Sequence, residues 1–418
     1  MQPTTFEIVA AAVFGLAVLH TFAAKQFERH AHRIPKHAGL LHLLGEVEIV
    51  FGLWAIVLMA AMAWLDSADG AVTYIESRDY AEPLFVFAIM VVAASKPVMY
   101  ATSRVVDGIA RAMPLRASTT TVWVGLALVP LLGSLITEPA AMTIAALMLA
   151  PLAFRSEIPE VPKYIALGAL FVNISIGGTL SAYAAPPILM VAKTWNWGSL
   201  FMLGTFGWKA AIAVLANATI ATVVLRKHLP DSAPVSALLD DRIPFAVVGI
   251  HLALLTGVVM AAHHPAISIG LLLMFLGFTQ AYERYQSPLI LREALLVAFF
   301  LAGLVVLGGV QRWWLQPAVA AMDDMTLFFG AMGLTAVTDN AALTYLGSLS
   351  EGLSSDSKYW LVAGAVAGGG LTVIANAPNP AGVSLLKKGF ADETIGAMGL
   401  LGGALVPTAI AAAAFALL

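Results

Sequence analysis

Residues 137–143 read TEPAAMT, and residues 338–344 read TDNAALT. Each heptapeptide places a carboxylate, Glu138 or Asp339, inside a long apolar segment. A second pair of stretches follows in the same order, GGTLSAYAAPP at 177–187 and GGGLTVIANAPNP at 368–380. Two matched motifs in the same order predict an internal duplication, and a duplication of this kind decides the architecture of the whole chain.

The composition is that of a chain surrounded by lipid. Hydrophobic residues make up 60% of the 418 positions and charged residues only 11%, whereas soluble domains carry about a quarter charged residues. Apolar stretches such as 6–24, 40–64, 244–262 and 289–308 are long enough to cross a hydrocarbon core of ~30 Å as helices. The absence of cysteine excludes disulfides and thiol chemistry. These features predict a helical protein of the lipid bilayer and give no indication of nucleic-acid binding.

The distribution of charge predicts an orientation. Lys and Arg cluster in 25–37 and 102–117, whereas 66–82 is acidic, and basic loops stay on the cytoplasmic side. The apolar segments 118–154 and 324–353 are broken at the two heptapeptides. We interpret both as re-entrant hairpins, because this arrangement leaves most of the 22 Lys and Arg residues in the cytoplasm. The predicted location is a bacterial inner membrane, with both termini in the periplasm.

The predicted fold is an all-α polytopic membrane protein. It consists of inverted repeats with about ten transmembrane helices, two re-entrant hairpins and two broken helices, since the first hairpin enters from the cytoplasm and the second from outside. The expected parts are scaffold helices in 1–117, a transport portion in 118–225, a linker with further scaffold helices in 226–315, and a second transport portion in 316–418.

The glycine motifs predict where two helices break. Gly177 and Gly178 in the first repeat, and Gly369 and Gly370 in the second, allow the backbone to unwind and to approach closely. Prolines follow at 186–187 and at 378 and 380, and they prevent the helix from re-forming at once. Tight helix packing is the alternative explanation for the glycines alone.

The two carboxylates have a structural and a functional interpretation. Glu138 and Asp339 stand where one half-helix ends and another begins, so both are candidate N-caps. Against capping alone, an ionisable group at membrane depth is costly and is usually functional. A buried carboxylate that holds either a proton or a cation would give obligatory exchange. Because the flanking residues differ (Pro139 and Asn340), we expect unequal roles for the two acids.

Other charged residues are weaker candidates. Lys209 lies deep in an apolar span, and we expect it to pair with Glu138 or Asp339. Histidines at 30, 32 and 37, and the pair at 263–264, would be metal ligands in an intramembrane enzyme. Without acids in a ligand-like pattern they are better explained as parts of solvated loops, so we predict that the chain is not an enzyme.

The four motifs resemble the duplicated hairpin and broken-helix motifs of the ion transporter superfamily, which includes arsenite-efflux pumps, sodium-coupled dicarboxylate transporters and sodium/proton antiporters. The resemblance covers most of the chain and is nearest to the bacterial sodium/proton antiporters. It implies a homodimer and a transport domain that moves as an elevator. The ion and substrate contacts that it implies are Thr137, Glu138, Thr143, Gly177, Gly178, Thr179, Ser181, Thr338, Asp339, Asn340, Thr344, Gly369, Gly370, Thr372, Asn376 and Asn379.

The resemblance leaves the substrate open. Dicarboxylate carriers have Ser-Asn-Thr at the hairpin tips, and the two carboxylates of this chain would repel an anion. We therefore expect exchange of a monovalent cation, with sodium as the first candidate, for protons. Glu138 and Asp339 are the expected cation ligands, and no further cofactor is expected. The alternative is cation-coupled transport of a small organic solute or a metalloid.

Overall fold

The computed structural model describes residues 3–31, 35–113, 116–230, 242–262 and 264–418. Over these residues the chain is helical and contains no β-strand. Residues 231–241, in the part 226–315 that was predicted to begin with the linker, lie outside the described part, as do His32 and His263 and the side chain of His30.

The N-terminal part contains six helices: α1 (Thr5–Ala31), α2 (Ala38–Gly45), α3 (Val47–Leu65), α4 (Ala68–Glu76), α5 (Ala81–Ala93) and α6 (Lys96–Ala112). The first heptapeptide and the first glycine motif lie among the next seven: α7 (Ala117–Leu126), α8 (Leu128–Ile136), α9 (Glu138–Ala153), α10 (Glu160–Gly177), α11 (Pro186–Trp195), α12 (Ser199–Met202) and α13 (Trp208–Leu225). A π-helical turn, Leu203–Gly207, joins α12 to α13.

The second half begins with three helices of the predicted scaffold: α14 (Phe245–Met260), α15 (Pro265–Ala281) and α16 (Leu291–Gly308). The second heptapeptide and glycine motif lie among the last six: α17 (Arg312–Ala320), α18 (Asp324–Thr335), α19 (Asn340–Ser348), α20 (Ser355–Gly368), α21 (Asn379–Leu386) and α22 (Ala397–Leu417).

Four helical segments in the described residues are long and apolar enough to cross a membrane, namely Glu160–Leu180, Ser199–Leu225, Leu291–Gly308 and Ala397–Leu417. Three bent pairs raise this number to as many as seven: α2 with α3 at 97°, α5 with α6 at 67°, and α7 with α8 at 43°. Many large apolar side chains, such as Leu200, Phe245 and Met398, are exposed on the outside of the bundle. The chain is therefore a multi-pass membrane protein.

Ten full spans were predicted; helix length and composition alone identify four to seven candidates among the described residues, so the exact number stays a prediction. One of the bends lies between α5 and α6. Ser95 donates its hydroxyl to the carbonyl of Val92 at 2.7 Å, and Pro97 in the first turn of α6 has no N–H with which to continue the preceding helix. An apolar segment that reads as one span is thus divided into two helices.

Both heptapeptides and both glycine motifs interrupt helices. A single residue, Thr137, separates α8 from α9, and α9 packs back along α7 and α8. Between α10 and α11, residues 178–185 contain one 3₁₀ turn and then no helix, while 369–378 separate α20 from α21. The packing is reciprocal, because α11 contacts α19 and α21 contacts α9.

Glycines permit the closest helix contacts around these elements. On α22, a Cβ at Gly403 would overlap the carbonyl oxygen of Tyr164 on α10. A Cβ at the neighbouring Gly402 would have nothing within 4 Å. The two adjacent glycines thus face different surroundings on the same helix.

We predict that Gly403→Ala destabilises the protein by about 1–3 kcal/mol, because the new methyl group forces α22 away from α10. The matched change Gly402→Ala should leave stability unchanged or raise it by about 0.5–1 kcal/mol, since alanine favours a helix more than glycine does. Unfolding of the two purified variants in detergent measures the difference. Equal stability of both variants would contradict the close contact.

Candidate functional site

The tip of the first hairpin has a strained backbone. The N–H of Thr137 donates to the carbonyl of Gly133 at 2.8 Å and ends α8. Thr137 then adopts φ 85° and ψ 151°, a conformation that a β-branched residue rarely takes. Backbone strain of this kind persists only where surrounding contacts enforce it, and it concentrates at functional sites. Here it turns the chain so that α9 begins at Glu138.

Glu138 lies in the interior, between the two unwound stretches. Its side chain is fully buried, and its Oε2 accepts a hydrogen bond of 2.8 Å from Nδ2 of Asn376 in the second half of the chain. On the other side it lies against Gly178, where a Cβ would come within 2.5 Å of Oε1. Glu138 therefore contacts both broken helices, and a side chain at 178 would displace it.

Asp339 has a different environment, although its position in the repeat is the same. It is the N-cap of α19, and its Oδ1 accepts from the amides of Ala341 at 2.8 Å and Ala342 at 3.1 Å. Its side chain is partly exposed. The capping interpretation therefore holds for Asp339, whereas the Glu138 side chain caps no helix. The residue after Asp339, Asn340, is linked to the surroundings of Glu138, because its N–H donates to the carbonyl of Ala375, next to Asn376.

Hydroxyl groups hold the unwound stretches to the hairpins in both halves. The Ser134 hydroxyl donates to the carbonyl of Gly177 at 2.7 Å and accepts from the N–H of Leu180 at 2.9 Å. Ser181 donates to the carbonyl of Ser134 at 2.7 Å. In the second half Thr372 donates to the carbonyl of Ala336 at 2.8 Å. Each unwound stretch is thus hydrogen-bonded to the C-terminal end of the first helix of its hairpin, α8 in the first half and α18 in the second.

Several oxygen atoms at the site have no hydrogen-bond partner among the described residues. These buried acceptors are Thr137 Oγ1, Glu138 Oε1, Asn340 Oδ1, Asn376 Oδ1 and Asn379 Oδ1. Most buried polar groups in proteins are satisfied, so each exception requires an explanation. A concentration of oxygen acceptors is the type of ligand set that hard cations prefer.

Four of these acceptors, those of Glu138 and the three asparagines, belong to one connected network. Asn376 bonds Glu138, and the neighbouring carbonyl of Ala375 accepts from the N–H of Asn340 at 3.1 Å. The Asn340 amide lies beside Gly369, and Asn379 donates to the Gly369 carbonyl at 2.8 Å. The structure thus brings Glu138 together with three asparagines of the second half. The site is empty.

Four of the predicted threonines donate hydroxyl hydrogen bonds to backbone carbonyls three or four residues earlier in the chain. Thr143 donates to Pro139, Thr179 to Ile176, Thr338 to Leu334, and Thr344 to Asn340 or Ala341. Their oxygens keep lone pairs for a ligand, so their assignment to the site remains a prediction. Of the predicted glycines, Gly177 lies against the carbonyl of Pro130, Gly369 against Ser175 and Gly370 against Val172.

Lys209 does not lie where we predicted. Its Nζ donates to the hydroxyl of Tyr359 at 2.8 Å and lies 4.6 Å from the centre of that ring. Tyr359 in turn donates to the carbonyl of Phe415 at 2.6 Å. No ion pair joins Lys209 to Glu138 or Asp339 in the described structure. The ammonium group of Lys209 is thus bound by an aromatic hydroxyl and ring and not by either carboxylate.

Two serines in the site were missed from the sequence. Ser134 lies at the position that matches Thr335 when the heptapeptide alignment is extended by three residues, so a repeated hydroxyl was the available signal. Ser175 donates to the carbonyl of Val366 at 2.8 Å, and its oxygen is 3.4 Å from Nδ2 of Asn340. No comparable motif marks Ser175.

A metal centre of the enzyme type is not visible in the part of the chain that the structure describes. No group of three or more His, Cys, Asp or Glu residues is found there with the geometry to hold a metal ion. His37 and His264 are within this part, whereas the other histidines of the two candidate clusters lie outside it.

The buried helices, the interrupted segments and the polar network together define a multi-pass membrane protein of the transporter class. Residues 5–418 match the family described as "Putative Na+/H+ antiporter", and the chain belongs to this family. A comparison with curated proteins found no match to the chain.

We predict that Ser134→Ala lowers the free energy of unfolding by about 1–3 kcal/mol, because it removes the hydroxyl that bonds a buried carbonyl and a partly buried N–H. Thr121→Val is the matched control. Thr121 donates only to the carbonyl of Ala117 within its own helix, so its loss should change stability by no more than about 0.5 kcal/mol. Denaturation in detergent compares the two. Similar effects would show that Ser134 does not hold the unwound stretch.

Proposed function

We propose that the chain exchanges sodium ions for protons across a bacterial inner membrane, and that Glu138 carries the exchange. The observation that supports this most directly is the environment of its carboxyl group. Oε2 accepts a single hydrogen bond from Asn376, and Oε1 has no partner among the described residues. The membership of the chain in an antiporter family favours exchange over the alternative of an organic solute or a metalloid.

The chemistry follows from competition for one carboxyl group. A low-dielectric environment disfavours an isolated negative charge, so Glu138 needs either a bound proton or a bound cation. Unpartnered oxygens of Asn340 and Asn376 lie in the same network. Together with that of Thr137, which precedes Glu138 in the chain, they are the ligands that we propose for a dehydrated sodium ion. Because one carboxylate cannot hold both species, arrival of the cation releases the proton. This coupling needs no second titrating site.

Asp339 has a supporting role in this proposal. Two backbone amides of α19 donate to its carboxylate, and such charge-assisted bonds together with the helix dipole stabilise a negative charge. A fixed negative charge near Glu138 attracts cations to the site. In this proposal Glu138 exchanges its proton, and Asp339 remains negatively charged.

Alternating access by inverted repeats accounts for the reciprocal packing. The hydroxyl of Ser175 bonds Val366 at the matching place of the second glycine motif, and Ser181 and Thr372 make corresponding bonds to their hairpins. We propose that the hairpins and broken helices move together as an elevator. The α1, α3 and α16 scaffold would stay fixed in a homodimer, with both chain termini in the periplasm.

We predict that Glu138→Gln reduces sodium-driven proton movement in proteoliposomes to the level of empty liposomes. Glutamine retains an oxygen that accepts from Asn376, so the fold should persist, but its amide cannot release a proton at neutral pH. The measurement is dissipation of a preformed pH gradient after addition of sodium, with potassium and choline as controls. Exchange at the wild-type rate by folded Glu138→Gln protein would overturn the proposal.

We predict that Lys209→Met retains exchange under the same conditions. Methionine fills a similar volume beside the Tyr359 ring, and the ammonium group that it removes bonds Tyr359 rather than a carboxylate. Lys209→Met thus also tests whether removal of a charge at membrane depth is harmful in itself. Complete loss of exchange in this variant would show that Lys209 serves the carboxylates in another state of the protein.

A further inference from the structure

A polar cavity lies between parts of the predicted scaffold and parts of both predicted transport portions. It has a volume of about 700 Å³, within the usual range of small-molecule sites. Its walls come from residues 77–79, which join α4 to α5, from the C-terminal parts of α11 and α16, and from α17 and α19. Glu138 and Asp339 are not among its lining residues. The cavity is therefore separate from the polar network around Glu138.

The charged residues that line this cavity are mostly basic. Arg78, Lys193 and Arg312 contribute three positive charges, and Asp79 contributes one negative charge. Asp79 forms an ion pair with Lys193, and Arg312 pairs at 2.8 Å with Glu351, which lies outside the lining. When both acids are counted, one positive charge remains in excess, and the pairing assigns it to Arg78.

Arg78 is held at the wall of the cavity by an aromatic ring. It forms no ion pair with any acid of the described residues. Its guanidinium carbon lies 4.5 Å from the centre of the Tyr74 ring, and Tyr74 donates to the carbonyl of Val306 on α16 at 2.6 Å. A Cβ at Gly309 would come within 2.6 Å of Arg78 Nη1 and 2.7 Å of the Tyr74 hydroxyl. The close approach of Arg78 to the end of α16 thus requires glycine there.

The guanidinium group of Arg78 keeps hydrogen-bond donors for a ligand. Nε and Nη2 donate to the hydroxyl of Ser77 at 3.3 Å and 2.9 Å. Nη1 has no hydrogen-bond partner among the described residues. A guanidinium group binds oxyanions, phosphate above all, through N–H donors in a fixed planar arrangement. An excess positive charge with available donors indicates an oxyanion as the ligand.

The cavity lies at the end of a candidate membrane span. Helix α16 is such a span and ends at Gly308, and Arg312 follows four residues later. Tryptophans accompany two of the basic residues in the lining, at 195 and 197 after Lys193 and at 313 and 314 after Arg312. Tryptophan is enriched at the level of the lipid headgroups, and the phosphate groups of membrane lipids lie at the same level.

We propose that this cavity is a binding site for a phosphate group, and that Arg78 is its main contact. The position of the cavity favours the headgroup of an anionic lipid, such as phosphatidylglycerol, as the source of the phosphate, and a soluble phosphate offers the same chemistry. A phosphate bound here contacts parts of the scaffold and of the transport portions together. Binding does not depend on the exchange of sodium for protons.

The test uses the full-length protein in a nonionic detergent and tritiated dihexanoylphosphatidylglycerol as the probe. Unlabelled dihexanoylphosphatidylglycerol should displace the probe at concentrations at least about tenfold lower than dihexanoylglycerol, which has the same acyl chains but no phosphate. Equal displacement by dihexanoylglycerol would show that the acyl chains alone determine binding, and would overturn the proposal.

Inorganic phosphate identifies the source of the ligand in the same assay. Displacement of the probe at the concentrations that the unlabelled lipid requires assigns the site to a soluble phosphate. Displacement only at higher concentrations, or none, assigns it to a lipid headgroup. Both results support a phosphate site, provided that dihexanoylglycerol competes poorly.

Arg78→Gln should weaken binding of the probe by at least about tenfold, because a charge-assisted hydrogen bond is lost. The side chain of Arg78 is partly exposed and its hydrogen bonds go to the adjacent Ser77, so the fold should persist, and unfolding in detergent checks this. Arg78→Lys keeps the positive charge without the planar guanidinium group, and it should bind with an affinity between those of the wild type and Arg78→Gln.

Arg284→Gln is the matched control. Arg284 also lies 4.5 Å from the centre of a tyrosine ring, that of Tyr285, but it does not line the cavity. It therefore removes the same charge from the same type of contact elsewhere in the chain, and binding of the probe should be unchanged. Binding at wild-type affinity in Arg78→Gln, or an equal loss in Arg284→Gln, would overturn the assignment of the site to Arg78.

Discussion

The hydrogen bond between Asn376 and Glu138 is the contact on which the centre of the molecule depends. It joins a hairpin in the first half of the chain to an unwound stretch in the second half, and both side chains are buried. A carboxyl group in such a place is costly unless its surroundings compensate for the lost water. The helices around it are interrupted where their backbone polar groups find other partners, as at Gly177, whose carbonyl accepts from Ser134.

Close backbone approach makes this arrangement possible. Irregular backbone at membrane depth is tolerated only where protein or a water-filled cavity satisfies it. The glycine motifs meet this requirement because neighbouring groups occupy the space that a side chain would take. Gly178 admits the carboxyl group of Glu138, Gly369 admits the hydroxyl of Ser175, and Gly370 admits the backbone of Val172. The glycines are therefore needed for contact between the two halves as well as for unwinding.

The sequence predicted much of this centre, because its signals are local and duplicated. The heptapeptides located the break at Thr137, and the glycine motifs located the ends of α10 and α20. The asparagines 376 and 379 were proposed because their amides accompany glycine and proline, and Asn376 does bond Glu138; their role as ligands stays a prediction. What failed depends on contacts between distant residues. The partner of Lys209 is Tyr359, 150 residues away in the chain, and no pattern links them.

The inequality of the two carboxylates follows from one methylene group and the residue at the turn. Aspartate is short enough to fold back on the first amides of its helix, and Asp339 does so. Glutamate is a poor N-cap because its carboxyl group stands one carbon farther from the backbone. In the first hairpin Thr137 takes the cap position without a side-chain bond, and Glu138 begins the helix. Its longer side chain then reaches across to Asn376. Two turns with similar sequences thus hold their acids differently, since Asp339 accepts from backbone amides and Glu138 is buried beside Asn376. This difference in position underlies the separate roles that we propose for the two acids.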